Sequence, residues 1–252
     1  MTSNPFSLEG RTALVTGANT GLGQGITIAL AQSGADIVAV GRRAPLETQA
    51  AIRALQRRFL FIPADLASTG PIAGVVKETL EKMGRLDILV NNAGLISRAD
   101  ALQVAEADWD LVVNVDLKSA FFLAQAAARH MAVCGGGKII NVVSVLSFQG
   151  GIRVPAYAAA KSGLAGITKA LANEWAQQRI NVNAIAPGYF VTDNTQALRE
   201  DEKRSREILA RIPAGRWGVP ADLGGAAVFL ASAASDYVHG AIIPVDGGWL
   251  AR

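Results

Sequence analysis

The chain has 252 residues, half of them apolar and 18% charged, enough to bury the core of one large α/β domain. Its 24 basic and 21 acidic residues leave a net charge of +3 with no long basic stripe, which argues against a nucleic-acid binder. The single cysteine, Cys134, excludes an internal disulfide, and the two histidines, His130 and His239, join no cluster with metal-ligand spacing.

The opening Met1-Thr2-Ser3-Asn4-Pro5 has neither a basic nor an apolar leader segment, and no run of about 18 apolar residues follows. The expected compartment is therefore the cytoplasm. The first strand, Thr12–Thr16, runs into Thr16-Gly17-Ala18-Asn19-Thr20-Gly21-Leu22-Gly23, and a helix follows over Gly21–Ser33. A strand, a glycine-rich turn and a helix start make a pyrophosphate site, because the helix N-terminus presents unpaired N–H groups to an anion. The second strand is expected over Asp36–Val40. An acid at its far end would bind a ribose 2′-hydroxyl, but Asp36 stands at the wrong end and the proper edge reads Val40-Gly41-Arg42-Arg43. Two cations there favour a 2′-phosphate and hence NADP, the alternative being that both point into solvent.

Further strands are expected at Phe59–Pro63, Leu86–Asn91, Lys138–Val143, Ile180–Ile185 and Ala241–Val245, with helices over Pro71–Met83, Leu117–Val133 and Pro155–Gln178. The strands are largely apolar on both faces, as in a parallel sheet covered on both sides. The alternation predicts one domain over residues 1–252, an α/β Rossmann fold with a doubly wound seven-stranded parallel sheet and helices on both faces. Within the last long helix, Tyr157 and Lys161 are four apart and so share a face. An isolated phenol titrates near about 10, and a neighbouring cation lowers that value, suiting Tyr157 to proton transfer. Arg199 to Glu207 carries eight charges in nine positions. It reads either as a solvated helix face or as part of a mobile substrate lid around residues 190–213.

Together these motifs resemble the short-chain dehydrogenase/reductase superfamily over essentially the whole chain. The glycine turn is joined by Asp65-Leu66, Asn91-Asn92-Ala93-Gly94, Asn114, Ser144 thirteen residues before Tyr157, Lys161 and Pro187-Gly188. The resemblance implies that Tyr157 is the general acid/base, with Lys161 lowering its pKa and binding the nicotinamide ribose. Ser144 would hold the substrate oxygen, and Asn114 a helix backbone and a proton-relaying water. Cofactor contacts would come from Gly17, Asn19, Thr20, Gly21, Leu22, Gly23 and Arg42. Asp65 and Leu66 would lie at the adenine, Asn91, Ala93 and Gly94 at the ribose, and Pro187, Gly188 and Thr192 at the nicotinamide.

The stretches Ser147–Pro155, Arg211–Gly218 and Val245–Arg252 resemble one subfamily, the 2-dehydro-3-deoxy-D-gluconate 5-dehydrogenases, also called 2-deoxy-D-gluconate 3-dehydrogenases. That resemblance implies NAD(P)-dependent reduction of a keto sugar acid in uronate breakdown, leaning towards NAD(H), from which Gly41-Arg42-Arg43 departs. A carboxylate substrate calls for a planar cation, and Arg98 and Arg153 are the candidates, with Gln149 for hydroxyls and Arg216 as a weaker choice. A 3-oxoacyl carrier-protein reductase or a gluconate dehydrogenase would share the catalytic set, whereas a non-catalytic regulator would be expected to lack Tyr157 or Lys161. The superfamily resemblance further implies a homotetramer built through helices such as Leu117–Val133 and Pro155–Gln178.

Overall fold

Strand side chains alternate between the two faces of a sheet, and here both sets are apolar. In β1 (Thr12–Thr16), Ala13 and Val15 enter one core and Leu14 the other, all with no solvent exposure. The computed structural model describes residues 4–252; residues 1–3, part of the stretch read for a leader, lie outside the described residues. In chain order, β1 is followed by α1 (Gly21–Gln32), β2 (Asp36–Gly41), α2 (Leu46–Ala54), β3 (Phe59–Pro63), α3 (Ile72–Met83) and β4 (Ile88–Asn91). Next come α4 (Glu106–Val113), α5 (Ser119–Val133), β5 (Gly137–Val142), α6 (Pro155–Trp175) and β6 (Ile180–Pro187). Then follow α7 (Gln196–Glu200), α8 (Glu202–Arg211), α9 (Gly224–Ala231) and β7 (Ile242–Val245).

The strands form one seven-stranded, all-parallel sheet in the order β3-β2-β1-β4-β5-β6-β7. Helices α1, α2 and α9 pack on one face through Ile26, Leu30, Ile52, Ala227 and Leu230. Helices α3, α5 and α6 cover the other through Val75, Leu123, Met131 and Leu171. Local signals set several ends. Gly84 closes α3 in a left-handed conformation with φ 83°, and Pro155 opens α6, where its missing N–H costs nothing.

The expected fold class is the observed one. β6 runs two residues further than expected, because its ladder with β7 continues to Pro187 opposite Val245. The stretch Glu106–Val133 is one continuous helical run whose middle, Asn114–Lys118, is a π-helical turn. By length and composition it suffices to cross a bilayer, which the sequence reading did not anticipate. In the fold its apolar stripe of Leu123, Ala124, Ala127 and Met131 is buried against the sheet.

Candidate active site

Strand order reverses between β1 and β4, so their connections leave in opposite directions and open a crevice at the C-terminal ends. A cavity of about 800 Å³ occupies that crevice. Its near wall is the glycine turn, where Gly17, Asn19, Thr20, Gly21, Leu22 and Gly23 all face the space. Gly17 has φ 66°, and a Cβ there would stand 3.0 Å from the Asn92 Nδ2. That amide donates to the carbonyls of Thr16 at 2.9 Å and Gly17 at 3.2 Å. The Thr16 hydroxyl in turn accepts from the N–H groups of Asn92 and Ala93 at 3.0 and 2.9 Å. Thr16 and Asn92 thus stitch the β1 turn to the β4 turn. Neither was singled out for that role from the sequence, since the pairing spans 76 residues.

Tyr157 and Lys161 sit one turn apart on α6 and both line the cavity, with Lys161 Nζ 5.6 Å from the phenol ring centre. Lys161 is 3% exposed, and its ammonium donates to the Val142 carbonyl at 2.9 Å. Ser144 lines the same space, its hydroxyl accepting from the Leu146 N–H at 3.1 Å. Burial pushes the Tyr157 phenol up, outweighing the pull from Lys161; nearby Asp116 raises it further, while Ser144 and Arg98 lower it. The sequence suggested a net lowering by Lys161 alone. In the folded molecule desolvation is the larger effect. Asp116, unremarked in the sequence, is fully buried with its Oδ2 3.4 Å from Lys161 Nζ.

Other expected contacts divide. Arg42, Ala93, Gly94, Pro187, Gly188 and Thr192 border the cavity. Asp65, Leu66, Asn91, Asn114 and Arg153 do not line the cavity itself. Asp65 is exposed and accepts from the Ala67 N–H at 3.0 Å, the role of a turn cap. Leu66 is buried, and its carbonyl accepts from the Ser119 hydroxyl at 2.7 Å. Asn91 is buried between β5 and α5, donating to Ala120 O at 3.1 Å and Asn141 Oδ1 at 2.9 Å. Asn114 opens the π-helical turn, and its carbonyl accepts from the Ser119 N–H. Arg153 is exposed in a left-handed conformation, φ 63°, and its carbonyl receives the Ala99 N–H at 3.1 Å. Its side chain does not line the cavity.

The charged segment after β6 covers the cavity. Asp201 caps α8 by accepting from the N–H groups of Lys203 and Arg204, both at 3.0 Å. Ile208, the one buried residue of α8, packs with Ile212, Val145 and Trp249. Arg98 lines the space below and donates to the Asn194 carbonyl at 2.9 Å. Gln149 also lines it and accepts from Arg211 at 3.1 Å. The Arg211 guanidinium lies 4.1 Å from the Trp249 ring centre, a cation–π contact. Arg211 and Trp249 both line the cavity, and neither stood out in the sequence as a site residue. Arg216, the weaker candidate, is instead committed to a two-pronged pair with Asp222 at 2.7 and 2.9 Å. That pair holds the Asp222 carboxyl down at about 2.

A long crevice with a glycine cradle at one end and buried titratable groups at the other suits a dinucleotide. Arg42 and Arg43 are exposed at the cavity edge and make no ion pair or side-chain hydrogen bond among the described residues, so their cations are free for an anion. A family model described as enoyl-(acyl carrier protein) reductase matches residues 17–250. The chain is 60% identical over 253 residues to 2-dehydro-3-deoxy-D-gluconate 5-dehydrogenase of Escherichia coli (strain K12), with 100% of both chains covered. It is 57% identical over 253 residues to the enzyme of that name from Dickeya dadantii (strain 3937), again with 100% of both covered. A solved structure from Agrobacterium tumefaciens, provisionally assigned as a 2-deoxy-D-gluconate 3-dehydrogenase and carrying bound NADP, matches with TM-score 0.93 and 57% identity. That match covers 99% of this chain and 100% of the other.

Proposed function

The chain belongs to the short-chain dehydrogenase/reductase family, and on that premise we propose that it is a nicotinamide-dependent oxidoreductase of a deoxy sugar acid. The reaction interconverts 2-dehydro-3-deoxy-D-gluconate and 3-deoxy-D-glycero-2,5-hexodiulosonate. The observation that carries this reading is one cavity with Tyr157, Ser144 and Lys161 on its floor and Arg98, Arg204 and Arg211 around its outer part.

The glycine turn and the start of α1 would hold the pyrophosphate, Arg42 and Arg43 a 2′-phosphate, and Lys161 the nicotinamide ribose. Free cations at that edge favour NADP over NAD. When bound, the nicotinamide supplies the hydride for reduction and accepts it in oxidation. Ser144 donates to the carbonyl oxygen and stabilises the negative charge that grows there. Tyr157 gives its proton to that oxygen to complete the alcohol, and in the reverse direction takes it back. Lys161 stabilises the phenolate left behind. Arg98 and Arg211 bind the carboxylate, and Gln149, held by Arg211, meets a hydroxyl. The cover formed by α7 and α8 acts as a lid, because a segment held by so few buried side chains opens at low cost.

The same reading includes a homotetramer in the cytoplasm. Exposed Trp109, Leu111, Phe122 and Val133 along α4 and α5 support subunit contacts. The free, exposed Cys134 is compatible with a reducing compartment. The test is initial-rate reduction of 3-deoxy-D-glycero-2,5-hexodiulosonate with NADH and NADPH in parallel, with a 3-oxoacyl thioester as the competing substrate. Turnover of the sugar acid, faster with NADPH, is expected. Its absence in folded, cofactor-binding protein would refute the substrate.

A further inference from the structure

Three separated stretches of the chain meet above the cavity at one side chain. Arg211 ends α8, Gln149 belongs to the loop after Ser144, and Trp249 follows β7. The Arg211 guanidinium lies on the Trp249 ring, 4.1 Å from its centre, and donates to the Gln149 side chain at 3.1 Å. Trp249 is 4% exposed and is fixed in turn, packed with Val145, Ile208 and Ile212 and with its ring centre 4.6 Å from that of Tyr189. The backbone that carries it forms a hook. The Asp246 carboxylate accepts from the N–H groups of Gly248 at 2.8 Å and Leu250 at 2.9 Å, and Ala214 donates to the Gly247 carbonyl at 2.9 Å. A Cβ on Gly247 would stand 2.9 Å from Ile212 Cγ2, and one on Gly248 2.9 Å from Pro213 Cγ, so the hook is pressed against the exit of α8. Arg252 extends the contact. Helix ends leave carbonyls without intrahelical partners, and here the Arg252 guanidinium donates to those of Ala210 at 2.6 Å and Arg211 at 3.2 Å. Arg252 does not itself line the cavity.

We propose that the segment Asp246–Arg252 positions Arg211 for the substrate carboxylate, with Arg252 as a positioning residue that clamps the end of α8 and Trp249 as the platform for the guanidinium. The inference rests on the reading of Arg211 as a carboxylate ligand. A free arginine must freeze several rotatable bonds when it binds an anion, which weakens binding. Here the main chain of Arg211 is held by Arg252 and its side chain by Trp249 and Gln149, so that ordering is completed on folding. Gln149 takes one N–H, and the planar fork keeps others for a carboxylate. The clamp has the favourable sign, since a cation at a helix C-terminus meets the negative end of the helix dipole. Arg252 thus acts on the substrate only through Arg211. Its loss weakens binding of the acid and leaves the chemistry at Tyr157 alone.

The test is steady-state kinetics of the wild-type protein, R252A, R252K, R211A and the R211A/R252A double variant, on the sugar acid and on a neutral ketone. R252A is expected to raise KM for the acid about fivefold, the scale of a lost hydrogen bond, with kcat and the neutral ketone unchanged. R252K, which keeps a cationic donor, should recover part of that loss. In the R211A background R252A should add nothing, whereas a mere change in net charge would add its full effect there. A rise in KM on both substrates, a fall in kcat, or additive effects in the double variant would overturn the proposal. Should R211A leave KM for the acid unchanged, the reading of Arg211 as a carboxylate ligand falls and takes the proposal with it. An effective R211A beside a silent R252A refutes the proposal alone. Amide exchange answers without substrate: the last turn of α8 should exchange faster in R252A, and unchanged exchange there would refute the clamp whatever the sugar acid.

Discussion

The floor and the roof of the cavity are built on opposite principles. At the floor and just beneath it, Ser144, Lys161, Thr16 and Asp116 are each under 10% exposed, and hydrogen bonds join β1, β4, β5 and α6 there. The roof carries eight charges in nine positions from Arg199 to Glu207 and anchors α8 through one buried residue, Ile208. Proton transfer needs fixed distances and excluded water, which a buried strand edge supplies. A proposed lid calls for an element whose opening exposes little apolar surface, and a charged helix has that character. On the proposed reading, chemistry and selectivity reside on separate parts of this molecule and are open to separate disruption.

The largest effect should come from the floor. In Y157F, kcat should fall about 10²- to 10⁴-fold while cofactor affinity stays nearly unchanged, as steady-state rates and a cofactor titration would show. Full activity in that variant would abolish the distinction between floor and roof. A roof substitution should act differently. R211A is expected to raise KM for the sugar acid by about tenfold or more, the usual scale of a charged hydrogen bond, with little change for a neutral ketone. Equal losses on both substrates would mean that the roof does not read charge. The smallest effect should follow loss of the α8 cap. D201A removes an acceptor worth about 1 kcal/mol and should speed amide exchange in α8 while leaving α6 protected. Faster exchange in both helices would show that roof and floor are one cooperative unit.

What could be read from the sequence follows the same division. Tyr157, Lys161 and the turn from Gly17 to Gly23 are legible because their geometry is local: helical spacing and a strand-to-helix turn carry it, whereas Ser144 is reached only through the family pattern. Asp116 is not, since an acid in a helix ordinarily faces water and only the π-helical turn and the β4 turn above it enclose this one. Arg211 meets Trp249 across 38 positions of sequence (249 − 211), a distance over which no local pattern reports. Arg153 stands beside α6 in an exposed loop with φ 63° and does not line the cavity, a backbone state that its sequence neighbourhood does not report. Asp65 fills the ordinary role of an acid in a turn.

The stitch between Thr16 and Asn92 bears on how this protein can be remodelled. It couples the glycine cradle to the β4 turn through four hydrogen bonds of 2.9 to 3.2 Å, and none of them passes through Arg42 or Arg43. The edge proposed to discriminate between cofactors is therefore separate from this stitch. An engineer can replace both arginines with acids or neutral residues without retuning the cradle, whereas any change at Thr16 or Asn92 shifts two turns at once.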